Sequence, residues 1–266
     1  MYQFEFKRAE SVNQAAQLLS DGGQLLAGGQ TMLASMKQRL MQPETLVDLG
    51  GLSELAGICE ENGAIVIGAM TRHQAVATDP VVNAKIPGLA KLAGGIGDKQ
   101  VRAMGTIGGS VANNDPAACY PSAVLGLGAT IKTNQREIAA DDFFQGLYAT
   151  ALEPGEMITA ISFPVPEMAA YAKFKQPASR YALVGVFVAK TANGVRVAVT
   201  GAGNGVFRHA GLEATLSANF SADAVEGVSI DASDLSGDLH ASPEYRAELI
   251  KIQTQRAVNQ ALGKEG

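Results

Sequence analysis

Tryptophan is absent from this 266-residue chain, and histidine and cysteine are rare, with three and two copies. Cys59 and Cys119 form no C-x-x-C pair, and no histidine stands at zinc-ligand spacing from them. A cysteine-ligated iron–sulfur cluster needs more thiolates than this, so the chain cannot hold one alone. Both thiols are read as reduced. His73, His209 and His240 are scattered, leaving no metal box and no Ser–His–Asp set, and they are read as surface or helix-end residues. Basic excess is missing too: 21 Lys and Arg stand against 26 Asp and Glu, for a net charge of −5. That excludes the clustered cations needed to grip a nucleic-acid backbone. No run approaches the ~20 apolar residues of a membrane span. The first residues show no basic start followed by an apolar stretch, so no secretory leader is read and the expected location is the cytoplasm. There is no G-x-x-x-x-G-K-[ST] loop, which argues against a nucleoside triphosphatase.

Apolar residues make up 47% of the chain, enough for a sizeable core, and glycine is plentiful at 30 residues. Two glycine-centred segments stand out. One is Ala27-Gly28-Gly29-Gln30-Thr31-Met32; the other is Gly105-Thr106-Ile107-Gly108-Gly109-Ser110, running on to Asp115-Pro116. Glycine pairs let backbone N–H groups approach a ligand, and successive N–H groups form a nest for phosphate oxygens. Two such loops facing each other suit a pyrophosphate, hence a dinucleotide. The alternative for either pair is a tight turn or a close packing point. Gly201-Ala202-Gly203-Asn204-Gly205-Val206 competes as a Rossmann fingerprint. Its sixth position is Val206 and a hairpin precedes it, so it is read as a turn.

The pattern of elements is mixed. A strand at 2–7, a helix capped at Ser11, a strand at 25–27, a helix at 32–40 and a strand at 45–49 give a βαβαβ rhythm. A strand at 64–69 opens a second stretch. Helices follow at 71–78, 81–92 and 121–127, then strands at 130–133 and 157–163. Pro164-Val165-Pro166 reads as a linker. Strands at 181–190 and 194–200, joined by the Asn193-Gly194 hairpin turn, lead to a last helix from Ser242-Pro243 to about residue 262.

The two glycine segments, with Asp115-Pro116-Ala117-Ala118, Gln100-Val101-Arg102, Phe174-Lys175-Gln176, Tyr245-Arg246 and Arg256-Ala257-Val258, resemble the FAD-binding medium subunit of the molybdenum hydroxylases. That family includes the medium subunit of aerobic carbon monoxide dehydrogenase and the flavin domain of xanthine dehydrogenase. The resemblance implies an α+β chain with a two-subdomain FAD-binding fold of the vanillyl-alcohol-oxidase type, at residues 1–55 and 56–166, followed by a smaller C-terminal α+β domain at 167–266. It implies FAD as the cofactor. A molybdenum cofactor and [2Fe–2S] clusters are expected on a large and a small partner subunit, in a heterotrimer or its dimer. This chain would carry electrons from the clusters to an external acceptor, with no acid or base acting on the organic substrate.

The resemblance also assigns the site. Leu26, Ala27, Gly28, Gly29, Gln30, Thr31 and Met32 form one phosphate-binding loop, with Thr106, Gly108, Gly109 and Ser110 in the other. The hydroxyls of Thr31, Thr106 and Ser110 would complete phosphate or ribityl contacts. Asp115 would accept from a ribose or adenine donor, or else simply form a turn. Ile96 and Ile158 would cover the cofactor, or else belong to the core. Lys175 would stand near the flavin as a stabilising cation, or else be solvated. Cys119 replaces an aspartate usual in the family, which weakens the adenosine-side contact. Gln30 offers no covalent anchor, so a dissociable flavin is expected. The rival is a free-standing flavin-dependent reductase or oxidase, for which Tyr148 or Tyr181 would be the proton donor. A further alternative is a non-enzymatic dinucleotide-binding module.

Overall fold

The computed structural model describes residues 1–264. The first elements are β1 (Glu5–Arg8), α1 (Val12–Ser20), β2 (Gln24–Leu26), α2 (Met32–Lys37) and β3 (Thr45–Asp48). The strands form a parallel sheet ordered β1-β3-β2. Central β3 buries Leu46 and Val47, as a strand paired on both edges should. α1 starts where Ser11 accepts the Gln14 amide and Gln14 reaches back to the Glu10 amide. α2 ends three residues before the expected residue 40. Arg39 there turns left-handed at φ 62°, which closes the helix.

A second, wholly antiparallel sheet has the order β4-β5-β10-β6-β7. Its strands are β4 (Ile58–Glu61), β5 (Ala64–Gly68), β6 (Thr130–Thr133), β7 (Glu137–Ala139) and β10 (Ile158–Pro164). Between β5 and β6 run α3 (His73–Thr78), α4 (Pro80–Lys85), α5 (Pro87–Gly94), α6 (Lys99–Met104), α7 (Ile107–Asn113) and α8 (Tyr120–Gly126). Ile65, Ile67, Leu89, Leu92, Ile107, Tyr120 and Phe163 meet in one core between sheet and helices. The single helix expected at 81–92 is two, because Pro87 cannot continue a helix and pushes Ile86 out of it. α7 occupies most of the stretch read as the second glycine loop, and α6 ends just before it. After β7 come the short α9 (Ala140–Phe143) and the hairpin of β8 (Phe144–Gly146) with β9 (Ala149–Thr150).

The third sheet is an antiparallel meander, β11 (Met168–Lys175), β12 (Ala182–Thr191), β13 (Gly194–Thr200) and β14 (Phe207–Arg208). The β12–β13 turn is the expected hairpin, with Thr191 opposite Gly194 and Gly194 at φ 113°. α10 (Ala210–Ala218) and α11 (Pro243–Ala261) bury Leu212, Leu249, Ile250 and Val258 against Val184, Val186 and Val197. α8 packs on this sheet as well, through Gly126 against Phe187 and Ala198. The Gly201–Val206 segment is the loop from β13 to β14. Antiparallel pairing on both sides of it rules out a dinucleotide-binding βαβ unit there. The chain is therefore α+β, with segregated parallel and antiparallel sheets. Among the described residues, no helix is long and apolar enough to cross a membrane.

Candidate functional site

A cavity of about 550 Å³ opens where the three sheets' connections converge. Leu26, Ala27, Gly28, Gly29, Gln30, Thr31, Met32, Ile96, Thr106, Gly108, Gly109, Ser110, Asp115 and Ile158 all line it. Residues more than a hundred positions apart thus share one wall. Ile158 is delivered by a turn held from behind. The fully buried Glu156 side chain accepts Arg136 Nε at 3.0 Å, the Thr133 hydroxyl at 2.8 Å and the Glu153 amide at 2.8 Å.

The two glycine segments do different jobs. In the first, the amides of Gly28, Gly29, Gln30, Thr31 and Met32 have no acceptor among the described residues. The chain leaves β2, turns with Gly29 at φ 68° and enters α2, so these N–H groups form a free cradle at a helix start. In the second, the amides are committed. Ile107 donates to Thr71 O at 3.0 Å, Gly108 to Ala69 O at 2.8 Å, Gly109 to Thr106 Oγ1 at 3.2 Å and Ser110 to Thr106 O at 3.1 Å. Thr106 is the N-cap of α7, and Gly108 and Gly109 lie in its first turn. The expectation of two opposed loops of bare main chain is corrected here. The second segment contributes side-chain hydroxyls rather than a nest.

Its glycines serve close packing. A Cβ on Gly108 would stand 2.5 Å from the Ala69 Cβ and 2.7 Å from its carbonyl oxygen. Gly28 shows the same logic across the cavity floor. A Cβ there would meet the Met104 carbonyl and stand 2.7 Å from Gly105 Cα. The free cradle is therefore seated directly on the α6–α7 junction.

Asp115 forms the local turn that was the alternative reading for it, and it also lines the cavity. One carboxylate oxygen accepts the Ala117 amide at 2.9 Å in a local turn; the other accepts the Tyr148 hydroxyl at 3.3 Å. Tyr148 and Tyr181 also line the cavity. Burial, with the Asp115 charge as the next contribution, raises both phenol pKa values.

Lys175 does not line the cavity. It is exposed at the end of β11, beyond a register shift between Phe174 and Lys175 that breaks the strand's alternation. Lys173 is in the wall instead. Its Nζ donates to Gly95 O at 2.8 Å and Arg180 O at 3.0 Å and lies 3.4 Å from Cys119 Sγ. Cys119 is buried and lines the cavity in the position of the missing aspartate. His73, expected at the surface or a helix end, is another wall residue. It starts α3, as a helix-end residue, but is buried at 4% exposure. Burial, with the nearby Arg102 cation, lowers its pKa to about 4. His209 caps α10, accepting the Leu212 amide, and His240 is exposed. Among the described residues, no group of three or more His, Cys, Asp or Glu could hold a metal.

The geometry fits a dinucleotide flavin: five free amides for an anion, three hydroxyls, and apolar Ile96 and Ile158 for a ring. Comparison with known proteins agrees. Residues 2–166 match the family described as the FAD binding domain in molybdopterin dehydrogenase. The carbon monoxide dehydrogenase medium chain of Hydrogenophaga pseudoflava is 34% identical, covering 97% of this chain and 96% of that one. The corresponding chain of Afipia carboxidovorans is 41% identical over 72% of this chain and 70% of its own length. The solved structure of reconstituted CO dehydrogenase from Oligotropha carboxidovorans superposes with a TM-score of 0.90 at 32% identity, covering 99% of each chain. This chain accordingly belongs to the FAD-binding medium-subunit family of the molybdenum-containing dehydrogenases, as an oxidoreductase subunit with FAD as its cofactor.

Proposed function

We propose that the chain is the electron-transfer flavoprotein of a molybdenum dehydrogenase. It receives electrons from [2Fe–2S] clusters on a small partner subunit, downstream of a molybdenum cofactor on a large one, and delivers them to an external acceptor. The assembly is a heterotrimer or its dimer, located in the cytoplasm. Within the chain, residues 1–55 and 56–166 are the two FAD-binding subdomains and 167–266 the C-terminal domain.

The observation that carries this reading is the free-amide turn at Gly28–Met32 facing the Thr106 and Ser110 hydroxyls across one cavity. When bound, FAD supplies the redox chemistry, and the protein orients it and tunes its surroundings. The Gly28–Met32 amides hold the pyrophosphate without a formal cation. The Thr31, Thr106 and Ser110 hydroxyls take the remaining phosphate or ribityl contacts. Ile96 and Ile158 exclude water from the ring. Lys173, rather than Lys175, supplies the positive charge in the wall. Among the described residues no group of three or more His, Cys, Asp or Glu could hold a metal, which supports placing the metal centres on partners.

Co-purification from the native source, with flavin, molybdenum and iron measured together, tests the proposal. Stoichiometric molybdenum and iron in the associated subunits are expected. Steady turnover of a small substrate by the isolated flavin-loaded chain would refute it in favour of a free-standing reductase, with Tyr148 or Tyr181 as its proton donor.

A further inference from the structure

The two cysteines sit in opposite charge environments. Cys59 is exposed, and its sulfur lies 3.3 Å from the Glu61 carboxylate. The hydrogen bond to Glu61, and then burial, raise the Cys59 pKa. Cys119 is 5% exposed, in the cavity wall, with Lys173 Nζ at 3.4 Å. A second group points at the same sulfur. The Tyr171 hydroxyl, on a residue 4% exposed, faces Cys119 yet has no hydrogen-bond partner among the described residues. A buried hydroxyl without a partner is costly unless an acceptor arrives. The thiolate is the reactive form of cysteine, and a neighbouring cation favours it while a neighbouring carboxylate opposes it. Exposure therefore favours Cys59 as the reactive thiol, and charge favours Cys119.

We propose that Cys119 is the peroxide-sensitive thiol of this chain, and that its oxidation closes the cavity to the cofactor. In the step, Cys119 Sγ attacks the terminal, hydroxyl-bearing oxygen of a peroxide ROOH, and the proton given up by the thiol ends on the departing RO⁻. The S–O bond forms as the O–O bond breaks. The sulfur is oxidised to a sulfenic acid, and the peroxide is reduced to ROH, which carries off the second oxygen. Lys173 stabilises the attacking thiolate, and the Tyr171 hydroxyl gains the new oxygen as its acceptor. The oxidised sulfur stays in a wall shared with Asp115 and Lys173, where its added bulk competes with a ligand for space. The closure rests on the FAD reading of the cavity; the reactivity of Cys119 does not.

The test uses the full chain without added flavin, treated with hydrogen peroxide and then dimedone, with adducts assigned by peptide mass spectrometry. Cys119 is expected to label roughly tenfold faster than Cys59. Equal labelling, or labelling mainly at Cys59, overturns the proposal. Lys173→Met is expected to reduce the Cys119 rate to that of Cys59, and Lys173→Arg to preserve it, with circular dichroism confirming the fold of each. An unchanged rate in a folded Lys173→Met protein overturns the role of the cation. A second measurement follows FAD binding by fluorescence quenching. Peroxide is expected to weaken binding in the wild type and leave Cys119→Ser unaffected. Equal loss in both proteins overturns the closure. Failure of every untreated protein to bind FAD overturns the closure together with the cofactor reading, and leaves the labelling result standing on its own.

Discussion

Replacing His73 with glutamine should flatten the chain's loss of stability in mild acid. The ring is buried against Tyr120, at 5.3 Å between centroids, and its Nδ1 has no hydrogen-bond partner among the described residues. Burial first, and the Arg102 cation second, lower its pKa to about 4. In the unfolded chain the imidazole titrates near 6.5. Above that value neither state binds the proton, so the group adds no pH dependence to stability. Below it the unfolded state takes up a proton that the native state refuses, and native stability falls until the pH reaches about 4. The gap between the two values, at about 1.4 kcal/mol per pH unit, comes to about 3 kcal/mol. Asp141 and Glu156 also matter in acid. Burial opposes their ionisation, but their arginine partners hold both carboxyls below the usual range. Those contributions are common to both proteins and cancel in the difference. Urea unfolding of wild type and His73→Gln at several values between about pH 7.5 and pH 4.5 reads that difference directly. The two stability curves should converge or cross as the pH falls. Parallel curves would refute the burial argument, because a histidine protonated as freely in the native state as in the unfolded one contributes no slope.

Three further outcomes follow from the cavity and its supports. Ser110→Ala removes a cavity-lining hydroxyl, and should weaken FAD binding by roughly tenfold with the melting temperature of the flavin-free chain unchanged; a large loss of flavin-free stability would count against it. Gly108→Val forces side-chain atoms onto Ala69, so a loss of folded, soluble protein is expected rather than a folded chain that merely drops its flavin. Arg246→Ala orphans the Leu183 and Gly201 carbonyls, each held at 2.8 Å, and should destabilise the chain by about 2–4 kcal/mol in urea unfolding.

Much of the architecture was legible because the signals were local. The Asn193-Gly194 turn, the Ser242-Pro243 start of α11 and the apolar-rich runs of β5 and β10 each follow from a few adjacent residues. Eleven of the fourteen cavity residues named from family resemblance were legible for the same reason, lying in two short motifs at Leu26–Met32 and Thr106–Ser110, while Ile96, Asp115 and Ile158 lie outside them. What was not legible depends on distant partners. Gly108 looks like Gly28 in sequence, and only the position of Ala69 shows that its amide is already committed. Lys173 and Lys175 stand two apart, and the register shift that separates their environments is a property of β11 and β12 together. A lone His73 carries no sign of burial until α3 packs against Tyr120.

The unequal use of glycine has a consequence for binding. An anion cradle is effective in proportion to how little it must reorganise when the ligand arrives. A glycine turn is flexible by itself, and five unpaired amides on a mobile loop would lose much of their attraction to ordering. Here the turn is fixed from below by contact of Gly28 with the Met104–Gly105 backbone, and that backbone is fixed in turn by the His73 amide donating to Gly105 O at 2.9 Å. The committed amides of α7 lock the same junction onto Ala69 and Thr71. The second segment thus spends its hydrogen bonds within the protein so that the first can keep its own free and in place. Changes at Gly108 and Gly29 should therefore differ in kind. The former loosens the platform and lowers stability before any ligand is present; the latter alters the cradle itself.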